Sequence, residues 1–243
     1  MIKVKNYNDH AELYIYGVII DDTDAAWLQA EKLGSGYEWP DKIKSQLASM
    51  KGLPVDVHIA SDGGNVAAGI AIFNMLKNHD ADVTVYVDSW AASIASVIAF
   101  AGKKIIMPAN TFLMIHNPSG CAHGDASYLR SVADWLDKLQ NMIAETYANA
   151  TEKATVEEIK ELMDKETWLT AAEAAEMFGK VELVDANDIE AVACYKSGFK
   201  SAPEALHAVK DTVEDTGKDA NAIDNNVIDN KTILSVLQEA YKL

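Results

Sequence analysis

Cysteine is scarce in this chain. Cys121 and Cys194 are the two in 243 residues, with no CxxC spacing and no cluster of histidines around them. A disulfide scaffold is thereby excluded, and the histidines and acids lack the spacing of metal ligands. Cys121 reads as a free small hydrophobe rather than a nucleophile, a usage that fits a reducing cytoplasm. Positive charge is also short: 21 lysines and arginines face 37 acids, a formal net charge of −16. That balance argues against a nucleic-acid partner and for repulsion from anionic membranes. Long apolar runs are missing too. The most apolar stretch, Ala91 to Ala101, is about half of the ~20 residues that a membrane span needs. The opening "MIKVKNYNDHAELYIYG" alternates instead of forming the apolar block of a leader. The expectation is a soluble, cytoplasmic protein.

What is present has the proportions of a globular protein, 49% hydrophobic and 24% charged. The length suits one large domain, or a domain with an appendage. "AELYIYGVI" (Ala11 to Ile19) reads as a first strand. Residues 24–50 read as helix, interrupted at "GSGYEWP". "VDVHIAS" (Val55 to Ser61) is the next strand, with His58 read as a core residue, and "DGGN" turns the chain. "VAAGIAIFNMLKNH" has helical periodicity, with Gly69 permitting close packing. A β-branched strand, Val83 to Val87, precedes a small-residue helix from about Ala91 to Ala101. Two short strands follow in "KKIIMP" and "TFLMIHNP". Residues 125–149 predict a long helix whose Leu129, Val132, Leu136, Leu139 and Ile143 stripe packs in the core. "TVEEIKELM" and "TAAEAAEMFG" open with capping boxes, Thr155 with Glu158 and Thr170 with Glu173. Strands alternating with helices make the class α/β. Past residue 200 the composition turns polar, acidic and rich in asparagine. Residues 1–200 are read as one domain, and 201–243 as a loosely ordered tail ending in a short amphipathic helix.

Three features fall where strands stop, which is where α/β folds build sites. "SDGG" (Ser61 to Gly64) places paired glycines between a strand and a helix, a setting that exposes backbone N–H groups. Taken alone, it is better explained as a tight turn, and it is too short for a dinucleotide or phosphate loop. "SWAASIAS" (Ser89 to Ser96) sets serines at a helix start, where free N–H groups favour developing negative charge. Ser89 also stands where a helix cap would, and small residues serve close packing. "MIHNP" brings His116 to a strand exit, where it matters if a hydroxyl needing a base lies within reach. His123, in "GCAHGD", is a rival base on a less well-positioned loop.

Taken in order, "SDGG", "AAS", "MIHNP" and "ETWLTAAEA" resemble the Clp-type serine peptidases. Members typically carry Ser-Pro-Gly-Gly, Gly-x-Ala-Ala-Ser, Met-Ile-His-x-Pro and an acid before an aromatic-x-Thr/Ser-Ala helix start. The resemblance spans roughly Ala11 to Asp185. It implies Ser93 as nucleophile, His116 as general base, and the backbone N–H groups of Gly64 and Ile94 as oxyanion hole. Glu166 falls on the family's acid, usually Asp, with Asp164 as the alternative. Gly63, Trp90, Asn117, Gly120, Cys121 and His123 fall along the implied peptide-binding track, which pairs substrate as an added strand. The chain departs from the pattern at Asp62, where proline is usual, and at Ser89-Trp90, where Gly-x is common.

The resemblance further implies a Clp/crotonase-like spiral of ββα units with a long handle helix. It implies self-association into rings, heptamers or stacked heptamers, with protein or peptide substrates and no cofactor or metal. An AAA+ unfoldase or phage capsid and scaffold proteins are the implied partners. The opening "ELYIYGVI", the "ETWLTAAEA" form and the acidic tail are closer to phage and prophage head-maturation proteases than to housekeeping Clp subunits. A non-catalytic shell subunit and a crotonase-type acyl-CoA enzyme are the readings from other classes.

Overall fold

The computed structural model describes residues 5–6, 9–31, 36–151 and 153–185. Both Cys194 and the acidic tail lie outside the described residues. Along the chain run β1 (Lys5–Asn6), β2 (Ala11–Ile19), α1 (Asp22–Ala30), β3 (Tyr37–Glu38) and α2 (Pro40–Ser49). Then come β4 (Val55–Gly64), α3 (Val66–Lys77), β5 (Val83–Ala92), α4 (Ile94–Ala99), β6 (Lys104–Pro108) and β7 (Phe112–Ile115). The described chain ends with α5 (Ala126–Ala148), α6 (Val156–Asp164), β8 (Thr167–Thr170), α7 (Ala171–Met177) and β9 (Val181–Val184).

The strands form one mainly parallel sheet, ordered β1-β2-β4-β5-β6-β9. Its centre forks. β5 pairs with β6 through Thr84 to Tyr86, then with β7 through Trp90 to Ala92. β7 in turn carries β8 antiparallel. The fork sends the end of β5 and the end of β7 out side by side.

Alternation explains which face is covered. Leu13, Ile15, Val57, Ile59, Val85 and Val87 are wholly buried beneath the helices, as period-two strands require. Their neighbours form a polar, aromatic face. Tyr14, His58 and Tyr86 are registered on adjacent strands and stack, at 4.9 Å between the first two rings and 5.0 Å between the last two. His58 Nδ1 lies 2.9 Å from Asp88 Oδ2, and the Tyr16 hydroxyl donates to the same carboxylate. His58 is therefore half-buried on the sheet face, not in the core, because its even position in β4 points away from the helices.

Other expectations are revised as well. The stretch read as one interrupted helix is two, α1 and α2, with β3 between; Asp21 caps the first and Pro40 opens the second. The helix expected from Ala91 starts at Ile94, because Ala91 and Ala92 are still paired to β7. Ser89 accordingly lies within β5 and caps nothing. The α5 stripe is core at one end only: Ile143 is buried, Val132, Leu136 and Leu139 are half-buried, and Leu129 is 44% exposed, as is Trp135 beside it at 58%. Both capping boxes form as read, at Thr155 and Thr170.

Candidate active site

Ser93 follows the last paired residue of β5 with φ 55° and ψ −130°. This region is costly for a residue with a Cβ, by roughly 1–3 kcal/mol, and persists only where surroundings enforce it. Here they do. Ser93 N donates to Met114 O at 3.0 Å. The buried Ser96 hydroxyl sits 2.6 Å from Ser93 O and 2.9 Å from Met114 O, and 2.7 Å from the Tyr147 hydroxyl. A single hydroxyl proton shared between two carbonyls leaves Tyr147 as the donor to Ser96. Burial raises the Tyr147 pKa well above its ordinary value, so the phenol keeps its proton. Ser93 occupies the N-cap position of α4 yet makes no capping bond with its side chain. Its hydroxyl turns elsewhere.

It turns to His116. His116 Nε2 lies 2.7 Å from Ser93 Oγ, within reach for proton transfer. The imidazole is held one residue beyond β7, and the pairing of β7 to the end of β5 fixes the separation. Burial lowers its pKa below the ordinary 6.5, with the Glu166 charge opposing that shift. The ring is thus neutral at neutral pH, the state a base requires.

Register distinguishes the two candidate acids. Ile115 pairs with Thr167 in the antiparallel β7–β8 ladder, so residue 166 falls across from residue 116. Glu166 also has a positive φ of 51°, aligned by its N–H bond to Met163 O at 3.1 Å. Asp164 is engaged elsewhere. Its Oδ1 accepts from Asn117 Nδ2 at 2.7 Å and from Gln140 Nε2 at 3.1 Å. Gln140 also donates to Asn117 Oδ1 at 2.8 Å. Together these amides clasp the chain after His116 to α5 and α6.

The glycine turn meets the serine turn. Gly63 and Gly64 have φ of 90° and 144°. A methyl group on Gly63 would lie 2.7 Å from Ala92 O and 2.8 Å from Ser93 Cβ, and one on Gly64 2.1 Å from Ile19 O. Only glycine fits either place. A narrow cleft lined by Val66, Ser93, Ile94, Val97, His116 and Tyr147 opens beside them. Ile94 is the first residue of α4, where helical N–H groups have no intrahelical partner.

The remaining sequence-picked residues are spread out. Gly120, Cys121 and His123 are exposed in the stretch between β7 and α5; Cys121 is therefore not packed as a hydrophobe. His123 forms no part of the Ser93–His116 pair. Trp90 is 6% exposed, clustered with Ala92, Met114, Phe112 and Trp168. It donates from Nε1 to Asp62 Oδ1 at 2.7 Å. Sequence reading missed this bond and the Ser96–Tyr147 brace. The spacing of Ser96 from Ser93, and of Tyr147 from Ile143, was the available signal. Neither spacing identifies the other partner.

Comparison with known proteins gives the following. The Clp protease family model matches residues 41–186. ATP-dependent Clp protease proteolytic subunit 1 of Protochlamydia amoebophila is 36% identical over 187 residues, covering 75% of this chain and 86% of that protein. The ATP-dependent Clp protease proteolytic subunit of Bacteroides fragilis is 31% identical, covering 69% and 76%. That of Ligilactobacillus salivarius is 33% identical over 123 residues, 49% of this chain and 61% of that one. Among solved structures, a ClpP1 mutant from Listeria monocytogenes superposes with a TM-score of 0.59 at 26% identity, covering 73% and 92%. The α/β fold, a central parallel sheet flanked by helices, is shared with that structure.

Proposed function

Since the chain belongs to the Clp protease family, whose chemistry is serine-type peptide hydrolysis, we propose that Ser93, His116 and Glu166 form its catalytic triad. The observation that carries this reading is the 2.7 Å contact between His116 Nε2 and Ser93 Oγ at a strained turn. Ser93 Oγ attacks the scissile carbonyl carbon while its proton passes to His116 Nε2. The carbonyl oxygen becomes an oxyanion and takes hydrogen bonds from the N–H groups of Gly64 and Ile94. As the C–N bond breaks, His116 returns the proton to the leaving amine. Water then repeats the sequence on the acyl-enzyme, releasing the second product and restoring Ser93. Glu166 orients the ring and stabilises its protonated form throughout.

Gly63, Asn117, Gly120, Cys121 and His123 lie along the track that would pair an extended peptide. In this reading Trp90 supports that track from beneath rather than touching the peptide, because its ring is buried.

The protomer acts as a proteolytic subunit that assembles into rings and receives protein substrates, in the manner of its ATP-dependent relatives. The half-uncovered apolar stripe of α5 supports self-association. Head maturation in a phage or prophage is the second reading, resting on the form of the opening strand and of "ETWLTAAEA". The similarity to ATP-dependent Clp proteolytic subunits favours the housekeeping role. Among the described residues no helix is long and apolar enough to cross a membrane.

A fluorophosphonate probe with peptide mapping tests the chemistry. Labelling is expected on Ser93 alone, and Ser93→Ala is expected to abolish both labelling and casein cleavage. Equal cleavage by the two proteins would remove the peptidase reading in favour of a non-catalytic subunit. Turnover of a CoA thioester without labelling would indicate acyl-CoA chemistry. Degradation of a folded substrate only with an ATP-driven unfoldase supports the housekeeping role; unaided cleavage of a co-expressed scaffold protein supports head maturation.

A further inference from the structure

Asp62, which stands where the turn motif usually has proline, is bonded to Trp90, at the variable position of the serine motif. Trp90 Nε1 donates to Asp62 Oδ1 at 2.7 Å across 28 residues of sequence. The bond has a particular location. The last registered pair of the β4–β5 ladder is Ser61 with Ala91, after an irregularity that begins at Ile59. Asp62 and the two positive-φ glycines stand beyond that pair, at the end of β4. Gly63 there packs directly on Ala92 and Ser93.

Trp90 is also an anchor. Its ring is buried with Ala92, Met114, Phe112 and Trp168, so it is gripped by β7 and β8. These strands lead to His116 and Glu166, and Met114 O accepts from Ser93 N. The indole therefore joins the fork of the sheet that carries the base to the turn that carries Gly64. Asp62 is half-buried, and a charged acceptor fixed by a buried indole gives a directed, charge-assisted bond.

Resting on the triad reading above, we propose that Asp62 and Trp90 are a positioning pair that holds the Gly63–Gly64 turn against the Ser93 elbow and so sets the oxyanion donors. The bond also turns one carboxylate oxygen toward the indole, two residues from the place where negative charge develops. Its loss would leave the Gly64 N–H misaligned while the Ser93–His116 contact stays intact. The chemical step suffers, and ground-state binding does not.

The test uses the full chain with Asp62→Asn, Asp62→Ala, Trp90→Phe, the Asp62→Ala/Trp90→Phe double variant and Ser93→Ala. kcat and KM are measured on a short fluorogenic peptide, together with the rate of Ser93 phosphonylation. Asp62→Ala and Trp90→Phe are each expected to lower kcat and phosphonylation about 10- to 100-fold, with little change in KM. The double variant is expected to be no worse than either single one, because both remove one bond. Asp62→Asn keeps an acceptor oxygen and is expected to restore most of the rate. The acid limb of the pH profile should stay in place in all of them. Unchanged kcat, additive losses, or Asp62→Asn as poor as Asp62→Ala would each overturn the pair. If Trp90→Phe fails to fold, the Asp62→Asn and Asp62→Ala comparison decides alone. Full hydrolysis by Ser93→Ala would instead overturn the triad reading and this inference with it. Ser93-dependent hydrolysis untouched by Asp62→Ala removes the inference only.

Discussion

His116 illustrates how one residue's surroundings set a working pH. Burial lowers its pKa and the Glu166 carboxylate raises it, with burial the larger effect. The ring loses its proton below the ordinary 6.5, so the acid limb of kcat/KM is expected below that value. Glu166→Gln removes the raising influence, so the limb should move to still lower pH, while the rate falls by about 10²–10⁴-fold as the imidazolium loses its stabilising partner. Asp164→Asn should leave the limb where it is, since that acid is held by Asn117 and Gln140. pH–rate profiles of the three proteins check this. The candidate pair Ser93 and His116 was readable because a motif fixes each residue one at a time. The choice between Glu166 and Asp164 was not, because they lie two apart in sequence and only the β7–β8 register separates them. Trp90 and Asp62 could not be paired in advance for the same reason: nothing local links positions 28 apart.

At the scale of elements, β3 and α2 carry the clearest pH signature in stability. Glu38 on β3 is wholly buried, and desolvation raises its pKa from an ordinary 4.5 to about 7, although Lys42 on α2 pairs with it. A folded value above the unfolded one means the folded state binds the extra proton between pH 4.5 and about 7. Stability therefore falls as pH rises through that window. Glu38→Gln should flatten the slope, as thermal unfolding at pH 5 and pH 7.5 would report. A second test concerns the α3–α4 crossing. A methyl group on Gly69 would lie 2.2 Å from Ile94 Cγ1, so Gly69→Ala is expected to destabilise the fold by about 1–3 kcal/mol through overpacking. Urea denaturation measures it. Elements with strong local signals were legible from sequence: β2 spans the residues expected, and both capping boxes form. The α4 boundary was not. Ala91 and Ala92 have high helix propensity, but pairing to β7 overrides it.

For the whole molecule, α5 is the element that the protomer leaves unfinished. Tyr128, Leu129, Trp135 and Met142 are exposed, and the reading of the stripe as core holds at Ile143 but not at Leu129, because periodicity reveals an apolar face without saying what covers it. Leu129→Glu/Trp135→Glu is expected to shift the protein to smaller species in light scattering while leaving the protomer folded, since neither side chain is packed in the core. The forked sheet has its own consequence for the molecule as a unit. β5 commits its early residues to one limb and its last three to the other, so Ser93 and His116 follow neighbouring strands of the same limb, joined by the β5–β7 pairing. Slipping β7 against β5 by a single residue, about 3.3 Å, would part hydroxyl from ring and would also turn the buried Leu113 and Ile115 out of the core. The burial that holds the sheet together therefore also holds hydroxyl and ring in register, so the spacing of the Ser93–His116 pair is as durable as the core beneath it.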